Sequence, residues 1–290
     1  NIIRCFAVLG LTVLESLLMT EKLIRRYYSE MGLSEWKRLI KDPYHQLEFN
    51  TTMHFLKKYL PKRGLILDAG GGPGRYSIEL AKLGYDLILL DLTPELLKVA
   101  KRQIKNTGFQ SRVKQILRGS IVDLSMFKDN TFDTVICLGG ALSHIVTKQQ
   151  RENAIDELVR VVKRNRPIFI SVIGRMALLV TALIRFPQEI TIKKLFARYR
   201  DTGDYFGGYG FAPAHFYLPE ELKATIEQRG LKILEMTGLE GLSSTHPKET
   251  NQLFKTNPKA GKIWWATHLK TCTSPTAVGI SEHFMIICRK

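Results

Sequence analysis

The chain has 290 residues, 44% of them apolar, and its 43 Lys and Arg against 27 Asp and Glu give a formal net charge of +16. That size suits one large domain with insertions, and the apolar fraction is that of an ordinary globular protein. The four cysteines at 5, 137, 272 and 288 form no C-x-x-C pair, which argues against a zinc site or a disulfide scaffold and fits a reduced, cytoplasmic setting. The positive balance has two readings, a solvated basic enzyme or a chain that meets RNA, phosphate-rich ligands or an anionic membrane. Its densest run, Lys98 to Arg118, covers a predicted surface helix and its exit, so a solvated face accounts for it and a nucleic-acid partner is not required.

In chain order, residues 2–19 are largely apolar, but Arg4 and Glu15 interrupt them and no A-x-A-like cleavage site follows. They make a poor signal peptide and a poor membrane span. Residues 1–18 read as an extension before Met19, or as a short packing helix. Between Thr20 and Leu60 the apolar spacing is helical, through Leu23, Tyr27, Tyr28, Trp36, Leu39, Met53 and Leu56. This segment is expected either as core or as a lid over a ligand mouth. Strands are then expected at 64–69, 86–91, 112–118, 133–138, 167–173, 231–237 and 283–288, with helices near 74–83, 94–106, 148–163 and 218–229. Such alternation implies a doubly wound α/β fold, a mostly parallel sheet with helices on both faces. The expected division is a helical segment over 1–60 and a domain over 61–290. Two long intervals break the rhythm: 174–217, read as an inserted cap with a basic helical stretch and a glycine-aromatic loop, and 240–281, which holds few periodic signals.

The most specific stretch is Leu65-Ile-Leu-Asp68-Ala-Gly70-Gly71-Gly72-Pro-Gly74, a buried-strand signal that runs into glycines and then a helix. Strand, glycine loop and helix start form a cofactor cradle, because glycines admit a ligand close to the main chain and the helix offers free N–H groups. The nicotinamide fingerprint would need glycine at position 75, where Arg75 stands. Asp91 closes the second strand, seventeen residues beyond Gly74, where a carboxylate suits two ribose hydroxyls; a helix N-cap is the other reading, and Thr93 before Pro94 fills that role better.

With Asp68, Gly70, Gly72 and Gly74 as its first motif, this order resembles the class I S-adenosylmethionine (SAM) dependent methyltransferases. Asp91 matches the second motif, Gly119-Ser120-Ile121 the adenine-contacting segment and Phe132 to His144 the fourth. The match is to the ubiquinone/menaquinone-biosynthesis-like group of small-molecule enzymes. Ser120 departs from the acid common at its position, so backbone around Ser120 and Ile121 is expected to meet the adenine; Asp123 is either a second acid of that segment or a helix cap. The resemblance implies a Rossmann-like, seven-stranded sheet whose last strand lies antiparallel beside the fifth. It also implies SAM as cofactor and S-adenosylhomocysteine (SAH) as product, held by Asp68, Gly70, Gly71, Gly72, Gly74, Asp91, Leu92, Ser120, Ile121 and Leu138. The implied activity is methyl transfer to a small molecule; an RNA methyltransferase and a SAM-binding protein without transferase activity are the alternatives.

In-line transfer from a sulfonium needs positioning and water exclusion more than a catalytic side chain. His144, after the fourth strand, is the candidate base, with a hydrogen-bonded structural histidine as the other reading. Tyr205, Tyr209 and His215 in the cap are candidate substrate contacts, or else aromatic filling on its underside. No N/D-P-P-Y/F-like tetrapeptide follows the fourth strand and no Pro-Cys adjoins Cys137, which argues against adenine or glutamine amino-group methylation of that type and cytosine C5 methylation. No metal site is expected.

Overall fold

The computed structural model describes residues 13–207 and 211–290, with side chains from Thr20 onward. Helices α1 (Val13–Arg38) and α2 (Pro43–Tyr59) precede the sheet, and α1 is kinked at Gly32, whose φ of 41° and ψ of −115° leave the helical region. Strands β1 (Leu65–Ala69), β2 (Asp86–Asp91), β3 (Val113–Arg118), β4 (Thr134–Cys137) and β5 (Pro167–Ile173) alternate with α3 (Arg75–Lys82), α4 (Pro94–Thr107) and α5 (Lys148–Val161). The cap follows with α6 (Arg175–Arg185), α7 (Pro187–Thr191), α8 (Lys193–Thr202) and a two-residue ribbon that pairs Asp204–Tyr205 with Ala214–His215. Next come α9 (Pro219–Glu227), β6 (Lys232–Gly238), α10 (Pro247–Thr256), α11 (Pro258–Thr271), α12 (Pro275–Ile280) and β7 (His283–Arg289). The interval 240–281, in which the sequence offered few signals, thus holds three helices, each opening with proline at a position where its missing N–H costs nothing.

The seven main strands lie in the order β3-β2-β1-β4-β5-β7-β6. The first five run parallel, and β7 is antiparallel to both β5 and β6. Burial on both faces explains the near-continuous apolar strands. Ile66, Leu87 and Leu89 join one core with α2, α3 and α4, whereas Leu67, Ile88 and Leu90 join the other with α5 and α9. α2 therefore covers the sheet as core, while α1 lies against α4, where Ser29 Oγ donates to Glu95 at 2.8 Å. The cap has a small core of its own, built on Leu195, Tyr199, Tyr205 and Phe216. Among the described residues, no helix is long and apolar enough to cross a membrane.

Candidate active site

The β1 strand ends in a loop tied to its neighbour: the N–H groups of Gly70 and Gly71 both donate to the Leu90 carbonyl, at 2.8 and 3.1 Å. Two glycines have a visible physical cause. A Cβ on Gly71 would stand 2.6 Å from the Asp68 carboxylate carbon, and Gly74, at φ +81°, lies where a Cβ would meet Leu89 and Ala100 at 3.1 and 3.3 Å. Gly74 thus serves the close approach of α3 to its neighbours and does not line the cleft. Arg75 stacks its guanidinium 3.5 Å from the Trp36 ring centroid and donates to the Trp36 carbonyl at 2.7 Å. The residue that departs from the nicotinamide fingerprint pins α1 beside the loop.

A cavity of about 290 Å³ opens at the carboxyl ends of β1, β2 and β4, and Asp68, Gly70, Gly71, Gly72, Asp91, Leu92, Ser120, Ile121, Leu138 and His144 all line it. This is the crevice where open α/β sheets receive ligands. Asp123 is exposed and accepts the Ser125 N–H at 2.9 Å, outside the cavity wall. The Asp91 carboxylate is buried and accepts from Gly72 N at 2.9 Å and Thr93 N at 2.8 Å, so it braces the glycine loop and the start of α4 at once. Thr93 occupies the N-cap of α4 without a side-chain capping bond. Burial raises the Asp91 pKa. Asp68 accepts from the Ser77 hydroxyl at 2.6 Å, and burial, with the Asp91 charge nearby, pushes it up to about 7. Two buried carboxylates in one cleft suit a cationic ligand.

His144 is half-buried between two partners. Its Nδ1 lies 2.9 Å from the Pro213 carbonyl and its Nε2 2.6 Å from the Tyr28 hydroxyl. A carbonyl only accepts, so Nδ1 carries the proton and Nε2 accepts from Tyr28. Burial pushes this histidine down to about 4, and both its nitrogens are engaged. Its partner Tyr28 also lines the cavity, burial holds the phenol neutral, and the sequence pattern marked this residue only as a helical apolar position.

Tyr28, Glu35, Arg38 and Gly139 also wall a second cavity, of about 180 Å³. Its lining includes Tyr27, Tyr44, Phe211, Glu48, Glu240, Glu282 and His283. Arg38 donates to Glu35 at 2.8 Å and engages Glu48 through both terminal nitrogens. Burial works against Glu48 ionising, but Arg38 and His283 outweigh it and lower its pKa. His283 Nδ1 lies 2.8 Å from Glu240; despite burial, Glu48 and Glu240 raise it to about 9. The Tyr44 hydroxyl donates to Glu282 at 2.6 Å, and burial, together with Glu240, raises the Glu282 pKa. Ligand atoms of Glu48, Glu240 and His283 fall within 4.8 Å of one another, a grouping that no sequence spacing announced; Arg38 and the Glu240–His283 pair already engage all three.

The expected cap contacts lie elsewhere. Tyr205 is 3% exposed and donates to Glu189 at 2.9 Å, and His215, 2% exposed, sits between Asp204 and Glu221 at 2.6 Å each. Both fill the cap interior and line neither cavity. Tyr209 falls outside the described residues.

Comparison with known proteins agrees with this architecture. Residues 66–165 match the methyltransferase domain family. The glycine/sarcosine N-methyltransferase of Parasynechococcus marenigrum is 31% identical over 142 residues, 48% of each chain. The ubiquinone biosynthesis O-methyltransferase of Xanthomonas euvesicatoria is 28% identical over 60% of this chain and 65% of its own. The chain spans about half the length of the glycine/sarcosine relatives that it matches. Among solved structures, a SAM-dependent methyltransferase from Methanosarcina mazei superposes with a TM-score of 0.56 at 20% identity, over 81% of this chain and 96% of its own. The [4+2]-cyclase SpnF reaches 0.53 at 16% identity, over 83% and 80%, so the same fold also serves a protein named for a different reaction. Residues 66–165 thus carry the methyltransferase-domain match, and the strand order around them is the fold shared with the Methanosarcina mazei protein.

Proposed function

We propose that the first cavity binds SAM and that the second holds a small-molecule amine to be methylated. The observation that carries the acceptor class is charge: Glu35, Glu48, Glu240 and Glu282 set four carboxylates against two cations, Arg38 and His283, around one small cavity. An ammonium group offsets that surplus; a phenol or a carboxylic acid does not. Tyr27, Tyr28, Tyr44 and Phe211 add aromatic faces of the kind that attract cations. The amine methylation in the name of the Parasynechococcus relative supports this reading, and the O-methyl transfer in the name of the Xanthomonas relative does not favour it.

The donor set fits the cofactor. Asp91 keeps lone pairs for ribose hydroxyls beyond the two N–H groups that it accepts, the buried Asp68 carboxylate suits the ammonium of the methionine part, and the main chain around Ser120 and Ile121 suits the adenine. Bound there, the sulfonium supplies an electrophilic methyl group. Tyr28 stands in the wall between the two cavities, and its hydroxyl oxygen can accept an N–H from the acceptor while it donates to His144, which orients the nitrogen lone pair. An acceptor that arrives as ammonium must first lose a proton, and Glu282, with its raised pKa, is the carboxylate suited to take it.

Calorimetric titration with SAH, followed by transfer from methyl-labelled SAM to matched panels of amines and phenols, tests the proposal. Saturable SAH binding and labelled amines are expected. Labelled phenols with unlabelled amines would overturn the acceptor class. Absence of SAH binding would overturn the cofactor assignment, and binding without transfer to any acceptor would favour a non-transferase role.

A further inference from the structure

The cap carries an apolar surface that neither cavity uses. On α6, Met176, Val180, Leu183 and Ile184 are 46%, 42%, 66% and 59% exposed, and Ile192, just before α8, is 37% exposed. The first four stand at i, i+4, i+7 and i+8, one face of a helix. The opposite face is anchored, since Ala177 and Ala182 are buried and Leu178 and Leu179 lie against the cap core. The same part of the cap exposes cations: Arg185 at the end of α6, and Lys193, Lys194 and Arg198 on α8. Between Arg175 and Arg200 the sequence has six basic residues and one acid, Glu189, which is buried and accepts from Tyr205.

We propose that this face of the cap docks the protein peripherally on an anionic lipid surface, with the α6 aliphatic side chains in the interfacial layer and the flanking lysines and arginines on the headgroups. An amphipathic helix of this kind lies in the plane of the interface, and its binding sums buried apolar area and attraction to anionic lipid. Charge argues against a second copy as the occupant: pairing two such faces would bring two basic caps together on chains of net charge +16. It fits RNA less well, because exposed aliphatic side chains gain nothing from phosphates and offer no ring on which bases stack. None of these residues lines either cavity, so the inference stands apart from the proposed reaction.

Flotation of the full chain with vesicles tests it, using phosphatidylcholine alone and phosphatidylcholine with about one-third phosphatidylserine. The protein should float with the anionic vesicles, and at about 1 M salt, where screening acts within about 3 Å, the preference over neutral vesicles should vanish. Leu183→Glu with Ile184→Glu should weaken vesicle binding by at least about tenfold, and Lys193→Glu with Lys194→Glu should do so on the anionic vesicles only. Both pairs sit on the surface, and unchanged SAH titrations and melting curves identify variants that remain folded. The proposal is overturned by equal flotation of the wild type and the Leu183/Ile184 variant. It is likewise overturned if sedimentation shows a dimer that this variant dissociates without any vesicle binding, or if RNA binds this face and anionic vesicles do not.

Discussion

Replacing Asp91 with asparagine separates two duties that one carboxylate performs. Oδ2 holds the Gly72 N–H and Oδ1 the Thr93 N–H, and in the proposed complex the remaining lone pairs meet ribose hydroxyls. Asparagine keeps the shape but turns one acceptor into a donor aimed at a backbone N–H. The apoprotein then loses one bond to a charged group inside the fold, about 1.5–3 kcal/mol, or roughly 2–4 °C in melting temperature for each kcal/mol in a chain of this size. The ligand loses a charge-assisted bond as well. A further 1.5–3 kcal/mol is about 10- to 150-fold in the SAH dissociation constant. Calorimetric titration of the folded variant at a temperature well below its melting point measures the second quantity without the first. A lower melting temperature with unchanged SAH affinity would refute the ribose role and leave Asp91 as a brace of the glycine loop. Alanine is a poorer choice, because it strands both N–H groups in a buried site and confounds affinity with loop collapse.

Asp68 predicts a proton linkage. Its folded value of about 7 lies above the unfolded value of about 3.9, so its contribution to apoprotein stability is fully present below about pH 4 and is lost as pH rises through about 7. A ligand ammonium beside it favours the ionised form. SAH titrations near pH 6 in buffers of different ionisation enthalpy should therefore report proton release, and Asp68→Asn should abolish it; equal apparent enthalpies in all buffers would contradict the assignment. Tyr28→Phe should leave SAH affinity within about twofold while lowering kcat roughly 10- to 100-fold, the scale for a misplaced reactant. A loss of SAH affinity with kcat intact would move Tyr28 into the cofactor site. Arg175, 6% exposed, donates to the carbonyls of Phe216, Asp201 and Thr202 and to Glu221. Arg175→Met should destabilise by about 3–5 kcal/mol, the scale for breaking a buried pair, and expose 186–216 to limited proteolysis; unchanged protease resistance would show that the cap is held by other contacts.

The parallel strands were legible because burial on both faces leaves unbroken apolar runs such as Leu87 to Leu90, and most of the lining of the first cavity because it sits in short segments at the strand ends. The helices between 240 and 281 were not. α11 buries only Gly261 and His268 and exposes Ile263 by 62%, so it has no apolar stripe for periodicity to find. The second cavity was illegible for another reason. Glu48, Glu240 and Glu282 come from a helix, a loop and the foot of a strand, and only the fold brings them to one wall. In the cap, an aromatic-rich loop looks the same in sequence whether its rings face a ligand or one another, and Tyr205 shows the second case. Tyr28 hid within a helical apolar pattern, since the spacing that buries a tyrosine ring says nothing of where its hydroxyl ends.

Helix α1 presents Thr20 and Ile24 to the first cavity and Tyr28 to both before its kink at Gly32, and Glu35 and Arg38 to both after it. One structural member is thus a common partition of two rooms. In the proposed complex, whatever steadies α1 for one occupant is then expected to lower the ordering cost for its neighbour, which would link arrivals and departures at the two cavities.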